Sequence, residues 1–366
     1  MKILFDYNVF SLQKIGGVSK YFLEIFSIIC RQHDTKIVAP IHINDYLSEY
    51  KSKNIFCFFK LKKQYRFTRK IIYFVNSIIF KLSIKIFNPD IIHLTYFSQK
   101  IGFSKNCKIV ITVYDLIHEI FEDDFNFGYS KKFKKNYILA ADHIICISQN
   151  TKKDLINFYD VHDKKISVVS LGYNRSKKFL KINDQFLEKP YLLYVGSRNN
   201  YKNFANFIIA YSYSSKLMRD FNILCFGGGG LSDLEKKFIK NLKINHLNIK
   251  CITGSDQELN YAYMNARAFI CPSLYEGFGL TILESMNMNC PIVSSNAGSL
   301  VEVGGEAVEY FNPKDTEEIK NKIEKIVYSD VNIDSQRKKF KSNLEKFSWE
   351  CAAKETMDIY EKLQSQ

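Results

Sequence analysis

Two glutamates eight residues apart, Glu276 and Glu284, flank a glycine turn in the segment CPSLYEGFGLTILE, residues 271–284. A short apolar strand over residues 268–271 runs into Glu276-Gly277-Phe278-Gly279, and an apolar helix is expected to start at once. Glycines let the backbone approach a ligand closely, and the open N–H groups of a helix start attract an anion. The segment therefore suits a phosphate with a polyol beside it. Spacing alone fits equally well an ordinary strand-to-helix turn with two solvated glutamates. Paired carboxylates also invite a glycosidase reading, in which acid and nucleophile flank one bond about 5–10 Å apart. Eight helical positions would separate the two backbones by about 12 Å, and Glu276 precedes the helix, so separate roles fit better.

A second cluster lies upstream. Residues 191–195 read as a strand that ends in Gly196-Ser197-Arg198-Asn199-Asn200-Tyr201-Lys202-Asn203. A glycine turn with Arg198 and Lys202 just past a strand's carboxyl end suits a diphosphate, Arg as a bidentate fork and Lys as a point charge. The plainer account is two surface cations before a helix. Near the start, Gly16-Gly17 separates a strand over residues 2–7 from a helix over residues 18–30, the place where a doubly wound sheet brings backbone to a ligand. No Gly-x-Gly-x-x-Gly completes a dinucleotide fingerprint. Asp115 follows a buried strand over residues 108–113 at its carboxyl end, after Tyr114 and three residues before His118.

These residues need a scaffold, and the composition bounds it. A chain of 366 residues, 46% hydrophobic and 25% charged, suits two soluble domains that each bury a core. Nine cysteines without a Cys-x-x-Cys pair fit reduced thiols in a cytosolic protein, not a disulfide frame or zinc site. The acid at position six and the lack of a long apolar run argue against a signal peptide. Residues 1–185 carry 30 Lys and Arg against 16 Asp and Glu, and residues 186–366 carry 22 of each. The whole excess of +14 thus sits in the first half, as expected of a domain facing an anionic membrane surface or nucleic acid. No nucleic-acid-binding signature accompanies it. Residues 65–87 combine apolar positions at helical spacing with Lys and Arg at both ends. They are too short in apolar core for a membrane span and read as a helix packed on the sheet, or as a basic amphipathic helix at a bilayer surface. Alternating strand and helix signals run through both halves, and the polar stretch over residues 175–190 marks the boundary. The acidic run Glu122-Asp123-Asp124 lacks metal-ligand spacing.

EGFGLTILE is similar to the Glu-seven residues-Glu signature of the retaining glycosyltransferases of family 4, and PIVSSNAGSLVEVGGEA after it also resembles that family. Gly-Ser-Arg followed by Tyr-Lys-Asn is similar to the family's phosphate-binding turn. The likeness is specific from Tyr191 to Pro313 and looser before that. It implies an α/β GT-B fold: two Rossmann-like, doubly wound parallel-sheet domains with a cleft between them. Residues 1–180 would bind the acceptor and residues 185–346 the nucleotide sugar, with a C-terminal helix at about 350–363 packing back on the first domain. Glu276, with Asp115, would be catalytic, Glu276 binding the donor sugar near the reacting carbon. Gly16, Gly17, Arg198, Lys202, the backbone of Gly277, Phe278, Gly279 and Leu280, and the carboxylate of Glu284 (on the ribose) would bind the donor. Many relatives carry His-Asp where this chain has Tyr114-Asp115, so only Asp115 matches. His118 would stand in for the missing imidazole or be a surface histidine. The resemblance implies no metal and no cofactor beyond the donor, with Arg198, Lys202 and helix dipoles supplying positive charge. It implies front-face transfer of a hexose, best matched to mannose from GDP-mannose, with UDP-glucose, UDP-galactose or UDP-N-acetylglucosamine as alternatives. The acceptor would be a glycan or polyprenyl-diphosphate-linked sugar in bacterial O-antigen or capsule synthesis. The protein would then sit at the inner face of the cell membrane, held by its basic N-terminal domain and without nucleic acid. A GT-B phosphorylase and a nucleic-acid-binding protein are the rivals.

Overall fold

The computed structural model describes residues 1–366 except 63–65, 98–106, 123–127, 174–177, 199 and 366, with only the backbone described at 66, 67 and 128–133. Asp123 and Asp124 of the acidic run, Asn199, and residues 174–177 of the expected linker lie outside the described residues. The chain divides into two compact units, Met1–Gly172 with Ser348–Gln366, and Tyr173–Phe347.

The first unit contains β1 (Lys2–Phe5), β2 (Asp34–Val38), β3 (Ile41–His42), β4 (Ile55–Phe56), β5 (Phe59–Lys60), β6 (Ile91–Leu94), β7 (Lys108–Val113), β8 (His143–Cys146) and β9 (Ile166–Val168). Seven of them form one parallel sheet in the order β4-β2-β1-β6-β7-β8-β9, while β3 pairs with β5 apart from it. β1, β6, β7 and β8 are near-continuous apolar runs, as strands covered by helices on both faces must be. The order reverses between β1 and β6, and there the carboxylate of Asp6 accepts the backbone and hydroxyl protons of Thr95. Asp6 also takes the N–H of Asn8, which starts a short helix, Asn8–Leu12, between β1 and Gly16-Gly17. β4 and β5 are separate strands, because the N–H groups of Phe58 and Phe59 both donate to the Pro40 carbonyl and bend the chain between them.

The helix Arg66–Phe87 buries Ile72, Asn76, Phe80, Ile84 and Phe87. Asn76 interrupts the apolar pattern of the sequence because it works as an internal bracket. Its Oδ1 accepts from the N–H of Ile41 at 3.0 Å, and its Nδ2 donates to the Ile41 carbonyl at 2.9 Å and the Ser11 hydroxyl at 3.1 Å. The last helix, Trp349–Gln364, belongs to this unit and packs along the helix Gly17–Ile29. Its Tyr360 hydroxyl meets Nδ1 of buried His93 at 2.5 Å, and His93 Nε2 meets Thr112 at 2.8 Å.

The second unit is a six-stranded parallel sheet, β12-β11-β10-β13-β14-β15, built from β10 (Tyr191–Val195), β11 (Asn222–Phe226), β12 (Ile249–Ile252), β13 (Ala268–Cys271), β14 (Ile292–Ser295) and β15 (Glu309–Phe311). One side of its core joins Leu192, Tyr194, Ile223 and Ile270 of the sheet to Phe204, Phe207 and Ile208 of the helix Phe204–Ser212. Here the strand order reverses between β10 and β13, so the loops that leave those two strands face each other at their carboxyl ends. Open α/β sheets bind ligands at such a point.

Candidate functional site

The loop after β10 is shaped by glycine and by two brackets. Gly196 turns with φ +121°, and the Tyr194 hydroxyl donates to the Ser197 carbonyl at 2.6 Å. Asn203 then takes a left-handed conformation, φ 57°, before the helix Phe204–Ser212. Its amide donates to the carbonyls of Pro272 at 2.9 Å and Pro313 at 2.8 Å. The N–H of Leu274 donates to the Tyr201 carbonyl at 2.7 Å. The loop after β13 is thereby stitched to the loop after β10.

That stitching brings Lys202 to Glu276. Lys202 Nζ donates to Glu276 Oε1 at 2.6 Å, and the Ser273 hydroxyl donates to the same oxygen at 2.7 Å. Both charged side chains are largely shielded, 19% and 15% exposed. Burial opposes the Lys202 charge, yet the adjacent Glu276 carboxylate outweighs it and holds the ammonium above its ordinary range. The backbone of Glu276 is fixed from the far side by Ser299, whose hydroxyl donates to the carbonyls of Glu276 at 2.9 Å and Phe278 at 2.7 Å. Gly298, φ +62°, packs so closely that a Cβ there would lie 2.9 Å from the Glu276 carbonyl oxygen.

Gly279, φ +111°, leads into the helix Leu280–Asn287. Phe278 turns its ring inward against Phe347, 5.8 Å between centroids, which leaves the turn's backbone as its outer face. Glu284 sits in the second turn of this helix and accepts from the Tyr263 hydroxyl at 3.4 Å. The helix start, Lys202 and Glu276 together form a cationic, amide-rich corner with one carboxylate set into it, which suits a diphosphate beside a sugar.

Arg198 occupies a different position from Lys202. Its Nε donates to Glu235 at 2.6 Å, and one terminal nitrogen donates to the carbonyls of Gly228 at 3.4 Å, Gly229 at 3.1 Å and Gly230 at 2.7 Å. Its other terminal nitrogen is buried and has no hydrogen-bond partner among the described residues. Gly227, Gly228 and Gly229 all have positive φ, and a Cβ on Gly228 would come 2.8 Å from the Gly196 carbonyl oxygen. Arg198 thus holds a glycine loop in shape. Glu235 also closes the capping box of the helix Asp233–Asn241, accepting the Ser232 N–H at 2.7 Å. The Ser-x-x-Glu signal of that box is legible in the sequence, but its second use as the Arg198 partner is not.

In the first unit, Gly16 is extended (φ 176°) ahead of the helix Gly17–Ile29, and Gln13 Oε1 accepts the Ser19 N–H there at 3.3 Å. Asp115 stands at the carboxyl end of β7. Its Oδ1 accepts from the N–H of Ile117 at 3.2 Å, and its carbonyl accepts from Lys134 at 2.8 Å. Lys134 is itself buried against Glu119 at 3.0 Å. Tyr114, the residue before Asp115, turns inward. Its ring packs against Tyr21 and Phe22, and burial raises its phenol well above the ordinary range. His118 is half-buried in the short helix Ile117–Ile120.

Sequence reasoning named the ion-pair partners but missed the residues that hold them: Ser273, Asn203, Gly298, Ser299 and Glu235. Asn203 and Ser273 lie inside the quoted turns, Glu235 inside a Ser-x-x-Glu box, and Gly298 and Ser299 in the small-residue run after β14, but none of these signals tells which residue each one holds. An open depression of about 500 Å³ lies at the other end of the helix Leu280–Asn287, lined by Phe179, Met264, Asn287, Met288, Asn289 and Arg337. It shares no residue with the corner described above.

Comparison with known proteins agrees with this geometry. Residues 176–347 match the family model "Glycosyl transferases group 1", and residues 15–177 match "Glycosyltransferase Family 4". The chain is 31% identical to O-antigen chain mannosyltransferase B of Escherichia coli over 185 residues, 49% of this chain and 48% of that protein. It is 27% identical to O-antigen chain mannosyltransferase RfbU of Salmonella typhimurium over 223 residues, 59% and 60% of the two chains. The matched segments thus span less than two thirds of these relatives' own length. Sucrose-phosphate synthase from Thermosynechococcus elongatus has the same fold, with a TM-score of 0.75 at 16% identity over 100% of this chain and 99% of that one. The two family models together run from residue 15 to residue 347. With two parallel-sheet α/β units of the GT-B kind, the chain belongs to the glycosyltransferases of group 1 and family 4.

Proposed function

We propose that this protein transfers a hexose, with retention, from a nucleotide sugar to a hydroxyl of a glycan or lipid-linked acceptor in bacterial O-antigen or capsule synthesis. The observation that carries the reading is the Lys202–Glu276 pair, set beside the open start of the helix Leu280–Asn287 at the reversal of the second sheet. A diphosphate entering there competes for Lys202 and meets backbone N–H groups, while Glu276 is left to bind sugar hydroxyls. Glu284 receives the ribose, and Gly16, Gly17 and Asp115 act from the first unit on the donor sugar and the acceptor. Protein cations and helix dipoles neutralise the leaving nucleotide, so transfer needs no divalent metal. The leaving phosphate oxygen takes the acceptor's proton on the same face of the sugar. Mannose from GDP-mannose is the proposed donor, supported by the likeness to O-antigen mannosyltransferases, and the enzyme works at the inner face of the cell membrane.

A thermal-shift panel of GDP, GDP-mannose, UDP and UDP-sugars in EDTA tests this. A ligand that binds only the folded state raises the melting temperature as its concentration exceeds its Kd. Stabilisation by GDP and GDP-mannose alone is the expected result. A response to UDP compounds alone would reassign the donor, and silence towards every nucleotide would overturn the transferase reading.

A further inference from the structure

The helix Arg66–Phe87 has two apolar faces. One is buried through Ile72, Asn76, Phe80, Ile84 and Phe87. Opposite it, Ile71, Phe74, Ile78, Leu82 and Ile86 recur at helical spacing and stand in solvent, Phe74 at 68% exposure and Ile86 at 86%. A surface helix ordinarily turns polar residues outward, so this second stripe is the anomaly. Exposed Lys70, Lys81 and Lys85 flank the stripe. Asn76 clamps the helix to Ile41 of β3, whose register partner in β5 is Phe59, and beside it Phe56, Phe58 and Phe59 are exposed as well, Phe59 at 67%. Residues 51–88 contain ten Lys and Arg and no Asp or Glu, so this segment holds much of the excess charge of the first unit.

From this arrangement we infer that the outer face of the helix Arg66–Phe87, with the neighbouring Phe56–Phe59 aromatics, is the surface by which the protein docks on an anionic lipid bilayer. The inference deepens the membrane placement proposed above by naming its surface. The occupant follows from charge: an apolar stripe bordered by lysines, on a segment without one carboxylate, matches acyl chains beneath anionic headgroups. Among the described residues no helix is long and apolar enough to cross a membrane, so the helix would lie in the interface plane with Phe74, Ile78 and Leu82 dipping below the headgroups. The buried face continues to bind the sheet, so docking requires no unfolding.

The test is flotation of the full chain with vesicles of phosphatidylglycerol and phosphatidylethanolamine, and with vesicles of phosphatidylcholine alone. The wild type should float with the anionic vesicles and remain behind with the neutral ones. The triple variant Phe74→Ser, Ile78→Ser, Leu82→Ser should lose partition at least tenfold, with its melting temperature unchanged because all three positions are exposed. Lys70→Gln, Lys81→Gln, Lys85→Gln should weaken partition and flatten its salt dependence. Failure of the wild type to float, or partition of both variants at the wild-type level, would overturn the inference. So would light scattering that shows a dimer dissociated by the apolar variant while vesicle binding persists. Nucleotide binding measured without lipid judges the transferase reading separately, since neither variant touches residues assigned to it.

Discussion

Glu276 accepts from Lys202 and from Ser273 on a single oxygen; Ser273 lies three residues before it in the same loop, but Lys202 comes from the loop after another strand. Glu276→Gln keeps the shape and removes the charge, leaving Lys202 shielded and unpaired. Removing one preorganised charged group from a transfer site costs about 10²–10³ in rate. We expect hexose transfer by Glu276→Gln to fall by about that much while the melting temperature shifts only a few degrees. A product assay showing a rate within threefold of the wild type would remove Glu276 from the chemistry. Lys202→Met should weaken binding of the free nucleoside diphosphate, which Glu276→Gln leaves largely intact, and calorimetric titration of both variants separates the two roles.

At the scale of elements, the loops after β10 and β13 are one construction. Asn203 ties them to each other and to the loop after β15 through two carbonyls, from a left-handed backbone position. Losing those two bonds costs about 1–3 kcal/mol, and a Cβ without a local hydrogen bond adds about 1 kcal/mol at φ 57°. Asn203→Ala should therefore be less stable in urea than Asn203→Gly, which loses the bonds but not the conformation. Equal stability of the two would mean that the left-handed position is unstrained. Gly298 guards the other side of Glu276, and with a Cβ 2.9 Å from a carbonyl oxygen its replacement by Ala has nowhere to go without moving that backbone.

At the scale of the whole chain, the first unit has a titrating bolt. Burial pushes His93 down to about 3, so it stays neutral in the fold between Tyr360 of the last helix and Thr112 of β7. The unfolded chain takes up a proton there below its ordinary value of 6.5, whereas the folded chain refuses it until about pH 3. Stability is therefore lost as pH falls through that window, by about 1.4 kcal/mol per pH unit for one proton. Asp6, pushed up to about 6 by burial despite its hydrogen bonds, acts in the opposite sense between pH 6 and its ordinary 3.8. The two partly cancel in the wild type. They separate in the difference between wild type and His93→Asn, which should narrow with that slope from pH 6.5 towards pH 4. A difference independent of pH would mean that His93 is protonated in the fold.

The sequence alone determined the alternation of apolar strands and helices, the glycine turns at the ends of β10 and β13, and the first-half charge. Each is written in local composition, so reading along the chain recovers it. EGFGLTILE and Gly-Ser-Arg with Tyr-Lys-Asn, read as resemblances, carried the family. Tertiary structure decided what depends on strand order. β10 and β13 become neighbours only once the chain has passed through β11 and β12, and that adjacency makes Lys202 the partner of Glu276. It gave Arg198 to Glu235 and a glycine loop, and it turned Tyr114 into the core. The helix Arg66–Phe87 makes the same point. Its sequence marks a helix with apolar positions at helical spacing, and only packing, by burying the Asn76 face, shows which stripe is left for another surface.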